Sequence, residues 1–167
     1  PPERPFERVI CRLPRSKDEL HYLASMSASL LSSGGAMWLA GHMREGIKSA
    51  TRVLEERVGP VHTVRTKRRT RVLVALRDEA VQQPLSLEQT RRTFTVEGWR
   101  GPKRFDSLVG AFAHGKLDGG TERLLNFLRD KPLTGAVLDM GSGVGTLGLC
   151  AAMLSEVTSV DLVEVMW

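Results

Sequence analysis

Gly141, Gly143 and Gly145 stand at alternate positions in the run VLDMGSGVGTLG, directly after an apolar stretch of strand length and before a stretch of helical composition. Glycines at this spacing let the backbone turn tightly and let a ligand approach with no Cβ atoms in the way. The helix that follows offers N–H groups that its own first turn leaves without partners. Gly143-x-Gly145-x-x-Gly148 also satisfies the dinucleotide fingerprint, a weak pattern by itself, and a glycine-rich connection with no ligand is the plainer reading. Two carboxylates narrow the chemistry. Asp139 ends the strand two residues before the first glycine, where it would sit badly beside a pyrophosphate but suits a ligand that is cationic there. Glu164 closes the next apolar run, 23 residues after Gly141, and an acid at that place accepts hydrogen bonds from both hydroxyls of a ribose. Otherwise it is an ordinary strand-end carboxylate; Asp161, the competing acid, falls mid-strand by alternation. S-adenosylmethionine, with its ammonium, sulfonium and ribose, satisfies both acids. Asp139, Gly141, Ser142, Gly143, Gly145 and Glu164 are therefore the candidate cofactor residues.

A second cluster has different chemistry. Arg65, Lys67, Arg68, Arg69 and Arg71 crowd the middle of VHTVRTKRRTRVLVAL, residues 61–76. They can contact RNA phosphates, or they can form a solvated hairpin tip, as charge runs often do. The wider charge balance agrees with a phosphate-bearing partner for the first half: residues 1–105 hold 20 Lys/Arg against 11 Asp/Glu, while residues 106–167 hold 4 against 8. The four histidines are scattered, no Cys/His group has zinc-ligand spacing, and no metal is expected. His42 and His114 read as structural, since nothing pairs them with a nucleophile. Cys11 and Cys150 read as small buried thiols of a reduced, cytoplasmic protein. No run of about 18 apolar residues marks a membrane helix. The opening PPERPFERV lacks a signal-peptide core and a starting methionine, so the natural N-terminus is expected elsewhere.

These residues need elements to position them. Residues 6–14 read as a strand ended by Pro14. Ser16 and Glu19 have capping-box spacing ahead of a helix whose stripe is Leu20, Leu23, Ser27, Leu30 and Leu31, stopped by SSGG at 32–35. A strand at 36–41 carries Trp38, read as core. A helix over 44–58 places Ile47, Ala50, Val53, Leu54 and Val58 on one side, and two strands then flank a basic turn at Arg68-Arg69. Polar residues 77–89 read as a linker, 90–99 as a strand, and 105–114 as irregular. A helix over 117–130, a strand over 135–141, a helix over 146–155 and a strand over 157–165 follow. Trp99 reads as a core or linker residue. The pattern is β-α-β-α-β-β and then β-α-β-α-β.

VLDMGSGVGTLGLCAA followed by VDLVEV resembles motifs I and II of the class I S-adenosylmethionine-dependent methyltransferases. The preceding GAFAHGKLDGGTERLLNFL is similar to the segment before motif I in the bacterial ribosomal RNA guanine-N2 methyltransferases, the small-subunit methyltransferase C family and its large-subunit relative. Phe112, Leu117, Asp118, Gly120, Leu124 and Leu125 carry that likeness. LPRSKDEL and GHMREGIKSATRVLEERVGPV resemble the second half of that family's N-terminal domain. The resemblance implies an α/β chain of two incomplete Rossmann-like methyltransferase domains in tandem. Residues 1–80 would be the second half of a degenerate N-terminal domain, 81–104 a linker and entry strand, and 105–167 the first half of the cofactor-binding catalytic domain. It implies S-adenosylmethionine as cofactor, ribosomal RNA or a ribosomal subunit as partner, and methylation of guanine N2. Asp118 would help order the pocket, although a plain helix cap explains it equally well. The family's Asn-Pro-Pro motif does not occur in these residues, so the resemblance implies an internal piece with no catalytic residue, inactive alone and prone to self-association. A non-enzymatic RNA-binding module with a vestigial pocket is the alternative. A dinucleotide-dependent oxidoreductase is disfavoured by Asp139.

Overall fold

The computed structural model describes residues 5–81, 84–131 and 133–165, and the chain divides into two units, residues 1–90 and 91–167. Each unit is built around its own buried cluster. Among the described residues, no helix is long and apolar enough to cross a membrane.

In the first unit, β1 (Phe6–Arg12), α1 (Lys17–Leu30) and β2 (Leu31–His42) form a parallel β-α-β crossover. Parallel neighbours cannot be joined by a tight turn, and α1 spans the gap between them. Ser16 caps α1 by accepting from Glu19 N–H at 3.4 Å, as its spacing predicts. The buried face of α1 is Leu20, Ala24, Ser25, Ser27 and Ala28: Leu20 and Ser27 of the predicted stripe are buried, Leu23 and Leu30 are half-buried, and Leu31 is buried as the first residue of β2. Small residues let the helix lie close to its neighbours, and Ser27 satisfies its hydroxyl by donating to Leu23 C=O at 2.7 Å. SSGG does not form a separate stop. It lies within β2, where the register with β1 steps between Phe6↔Leu31 and Arg8↔Ala36.

After a 3-10 turn at Met43–Glu45, α2 (Ile47–Arg57) buries Ile47, Ala50, Val53 and Leu54, with Val58 buried just beyond. β3 (Val61–Lys67) and β4 (Thr70–Leu76) form a hairpin that completes a four-stranded sheet in the order β1-β2-β4-β3. Met37, Leu39, Leu73 and Ala75 point to the helices and are fully buried. Trp38 points to the other face and is only half-buried, so it is not part of that core. Alternation along β2 makes this unavoidable once Met37 and Leu39 face inward.

The second unit opens with a hairpin, β5 (Arg92–Gly98) and β6 (Gly101–Ser107), paired antiparallel in unbroken register. The sequence pattern predicts one strand here, irregular chain from Phe105, and a linker and entry strand over 81–104; the hairpin instead lies wholly within the second unit. Phe94 stacks on Phe105 with ring centroids 5.8 Å apart. Thr93 and Arg91 donate to the Asp106 carboxylate, the hydrogen bond from Thr93 first among the causes that hold it below its ordinary range. α3 (Gly119–Leu128) follows, then β7 (Gly135–Met140), α4 (Thr146–Ala151) and β8 (Val157–Val163), a second parallel crossover. Val96, Phe105, Leu125 and Cys150 make its core, with Trp99 packed against them and donating from Nε1 to Leu125 C=O at 2.9 Å.

Close packing in the first unit has a direct test at Gly41. A Cβ there would lie 2.7 Å from Leu13 Cβ and 3.2 Å from Ile47 Cδ1. Gly41→Ala should destabilise this unit by about 1–3 kcal/mol through overpacking, seen as faster amide exchange at buried Leu39 and Leu73. Unchanged exchange at both would show that the contact is not tight.

Candidate functional site

All three glycines of the turn between β7 and α4 have positive φ: 72° at Gly141, 55° at Gly143 and 78° at Gly145. Only glycine adopts such angles without strain. Their surroundings divide them into two kinds. A Cβ at Gly141 or Gly143 would meet nothing within 4 Å, so open space lies beside both. A Cβ at Gly145 would press on Leu162 and Leu149, and one at Gly148 would collide with Leu162. The first pair leaves room for a ligand, while Gly145 and Gly148 let α4 settle onto β8.

The hydrogen bonds of the turn correct one expectation. Gly141 N–H and Ser142 N–H donate to Val163 C=O at 2.8 and 3.1 Å, and Gly145 N–H donates to Ser142 C=O at 2.8 Å. Gly143 N–H donates to Glu164 Oε2 at 2.8 Å, and Gly148 N–H to Asp139 Oδ2 at 2.9 Å. A helix start is expected to leave such amides free, yet the one at Gly148 is taken by the protein. A pyrophosphate cradle works by aiming unsatisfied N–H groups at the anion. This turn has spent most of its donors internally and offers space instead.

A cleft beside the turn is lined by Asp139, Gly141, Ser142 and Gly143 on one side and by Phe112, Lys116, Leu117, Asp118 and Thr121 on another. The structure thus brings five of the seven candidate cofactor residues to one place. Gly145 is buried at the base of α4, and Glu164 reaches the turn through Gly143. Its second oxygen accepts from Val165 N–H at 2.8 Å. Asp118 caps α3 by accepting from Gly120 N–H at 2.9 Å and Thr121 N–H at 3.0 Å, and it also lies in the cleft wall. Phe112, which the family likeness includes without assigning it a role, and Lys116, which sequence reasoning does not single out, are both wall residues. They sit in a loop without periodicity, and only their place before Asp118 signals them. Cys150, packed in the core nearby, has its thiol pushed up by burial, with Lys103 acting the opposite way; it is an inert core residue. Both cysteines are free thiols, Cys11 half-buried and Cys150 buried.

In the first unit, Arg65, Lys67, Arg68 and Arg69 are exposed on the β3–β4 hairpin. Arg71 stands apart from them: it is half-buried, and its Nε is buried with no hydrogen-bond partner. Arg68 and Arg69 occupy the turn with φ of 47° and 64°, positions at which two-residue hairpin turns favour asparagine and glycine. Arg69 C=O accepts from Met43 N–H at 2.8 Å, tying the tip to the chain after β2. His42 is structural, as expected: its Nδ1 accepts from Arg44 N–H and its own N–H donates to Glu45.

Comparison with known proteins gives consistent matches along the chain. The methyltransferase small domain family matches residues 103–167, and the methyltransferase small domain N-terminal family matches residues 1–93. Ribosomal RNA small subunit methyltransferase C of Pseudomonas fluorescens is 34% identical over 98% of the chain, which covers 48% of that protein. The protein of the same name from Vibrio cholerae is 30% identical over 94% of the chain, covering 45% of its length. The structure of the T. thermophilus 16S rRNA N2 methyltransferase RsmC, in complex with AdoMet and guanosine, superposes with a TM-score of 0.79 at 26% identity, over 96% of this chain and 44% of that one. The chain spans about half the length of the relatives it matches.

The wall formed by α3 depends on its cap. Asp118→Ala should cost about 0.5–2 kcal/mol of local stability and speed amide exchange at Gly120 and Thr121. Protection of those amides at the wild-type level would mean that the wall is held by packing alone.

Proposed function

Since the chain belongs to the methyltransferase small domain N-terminal family, whose model matches residues 1–93, we propose that its second unit binds S-adenosylmethionine and that the whole protein methylates guanine N2 in ribosomal RNA. One observation carries the reading: the cleft joins Asp118 and Asp139 to a glycine turn that has open space at Gly141 and Gly143. The fit to this cofactor rests on that space, on Glu164 standing at the turn, and on amides too occupied to cradle a pyrophosphate. The RsmC structure superposed above was solved with AdoMet and guanosine.

When bound, S-adenosylmethionine supplies an electrophilic methyl group on its sulfonium. Gly141, Ser142 and Gly143 shape the volume that receives it, and Gly145 allows the turn that places them. Glu164, which accepts from Gly143 N–H, is the acid assigned to the ribose hydroxyls. Asp118 and Thr121 fix the opposite wall. Methyl transfer to an amine is accelerated mainly by alignment. The 167 residues contain no Asn-Pro-Pro sequence to hold that amine, so the part assigned to them is to bind and orient the cofactor.

The exposed cations at the β3–β4 tip are assigned to RNA phosphates, with ribosomal RNA or the ribosomal subunit as partner and the cytoplasm as setting. Self-association belongs to the same proposal, since Leu138, Met140 and Val165 are exposed on or beside the β7–β8 pair.

Calorimetric titration tests the cofactor reading. S-adenosylhomocysteine should bind and NADH should not; the reverse result, or no binding of either, would overturn it. Gly143→Val, which puts a branched side chain at φ of 55° and into the open space, should abolish binding. Glu164→Ala should weaken it by about 1–3 kcal/mol, the scale of charge-assisted hydrogen bonds. For RNA, Arg68→Gly with Arg69→Gly removes two charges while suiting the backbone of the turn. The slope of log affinity against log salt should become shallower by about 0.7–0.9 for each phosphate no longer neutralised. An unchanged slope would make the tip a bystander.

A further inference from the structure

The cap that α4 lacks locally is supplied from a distance. Its N-cap residue is Gly145, which has no side chain to accept a hydrogen bond, and glycine is required there by φ of 78°. A serine or aspartate cap is therefore excluded by the turn itself. Asp139, nine residues earlier at the end of β7, reaches across and accepts from Gly148 N–H, the third amide of the helix. Gly148 is buried, and a Cβ on it would lie 3.1 Å from the same Asp139 oxygen while colliding with Leu162. Glycine at 148 and aspartate at 139 thus form a matched pair: one leaves the space and the other fills it with an acceptor.

Resting on the cofactor reading above, we propose that Asp139 is a positioning residue, acting through Gly148 to hold α4 and the glycine turn in place, and that it does not read the charge of the ligand. The carboxylate lies in the cleft wall, which makes a direct ionic role the obvious assignment. Its geometry gives it a prior task. Releasing Asp139 Oδ2 toward a ligand would leave Gly148 N–H, in a buried residue, without an acceptor. Oδ2 therefore stays with the helix, and that bond helps to set where Gly141, Ser142 and Gly143 stand in the cleft wall. Glu164 acts on the same turn from the other strand, at Gly143, so the two acids fix its two ends.

Three chains separate the two roles: the wild type, Asp139→Asn, which keeps an oxygen acceptor without the charge, and Asp139→Ala, which keeps neither. Amide exchange at Gly148 is read without ligand, and affinities for S-adenosylmethionine and S-adenosylhomocysteine are compared, because only the first carries the sulfonium charge. Asp139→Ala should speed Gly148 exchange about tenfold, the size of a lost helix cap, and weaken both ligands by the same factor. Asp139→Asn should fall between wild type and Asp139→Ala in all three readouts, again with equal factors for the two ligands. Selective loss of S-adenosylmethionine affinity in Asp139→Asn would overturn the proposal and assign Asp139 to the sulfonium. Unchanged Gly148 exchange in Asp139→Ala would overturn it as well. If neither ligand binds the wild type while Gly148 exchange still responds as stated, the cofactor reading fails and the hold of Asp139 on the turn stands.

Discussion

The second unit depends on a carbon atom that is absent. With any side chain at position 148, α4 would collide with Leu162 and could not lie on β8. Because it does lie there, Gly148 N–H comes within 2.9 Å of the Asp139 carboxylate, Gly145 can open the helix from a left-handed conformation, and the turn closes over Val163 C=O through two amides. The cleft wall at Gly141 to Gly143 follows from that closure. One methyl group at 148 would disturb helix, turn and cleft together, because the contacts are shared among them and well-packed elements have little freedom to yield.

The chain contains two parallel β-α-β crossovers, and they begin their helices in opposite ways. α1 is entered through Pro14 and capped by its own neighbour Ser16, a local solution that needs no glycine. α4 is entered through three glycines with positive φ and capped from another element. Alike in topology, the two crossovers differ in how they open their helices, and the second has a cleft at its strand end. The first unit presents instead an exposed cluster of cations on a hairpin.

Much of this could be read from residues. α2 buries the five residues its periodicity predicts, because an amphipathic helix against a single sheet has one solution. α1 follows its predicted stripe in part: Leu20 and Ser27 are buried, but Ala24 and Ala28 pack inward beside them, and a pattern read from large apolar residues does not weigh size. β6 is hidden in the sequence because GPKRFDS has a proline and three charges. Its strand identity comes from pairing with β5 and from Phe105 stacking on Phe94, which are non-local. At the cleft, the glycines and the two acids are legible as a set because the chemistry constrains their types and spacing. What each acid touches is not legible, since the bond from Asp139 to Gly148 depends on how deeply α4 sits.

The hairpin tip runs against its own local chemistry. Two successive residues with positive φ cost an ordinary side chain of order 1–3 kcal/mol each, and asparagine with glycine would remove most of that. Arginine occupies both positions. The conformation is held by the ladder between β3 and β4 up to Lys67↔Thr70 and by the bond from Met43 N–H to Arg69 C=O, so the surrounding structure dictates the turn and the side chains accept it. A tip whose only task is to reverse the chain gains nothing from that substitution. A tip that must present cations to a phosphate backbone gains two, projecting from an exposed corner of the sheet.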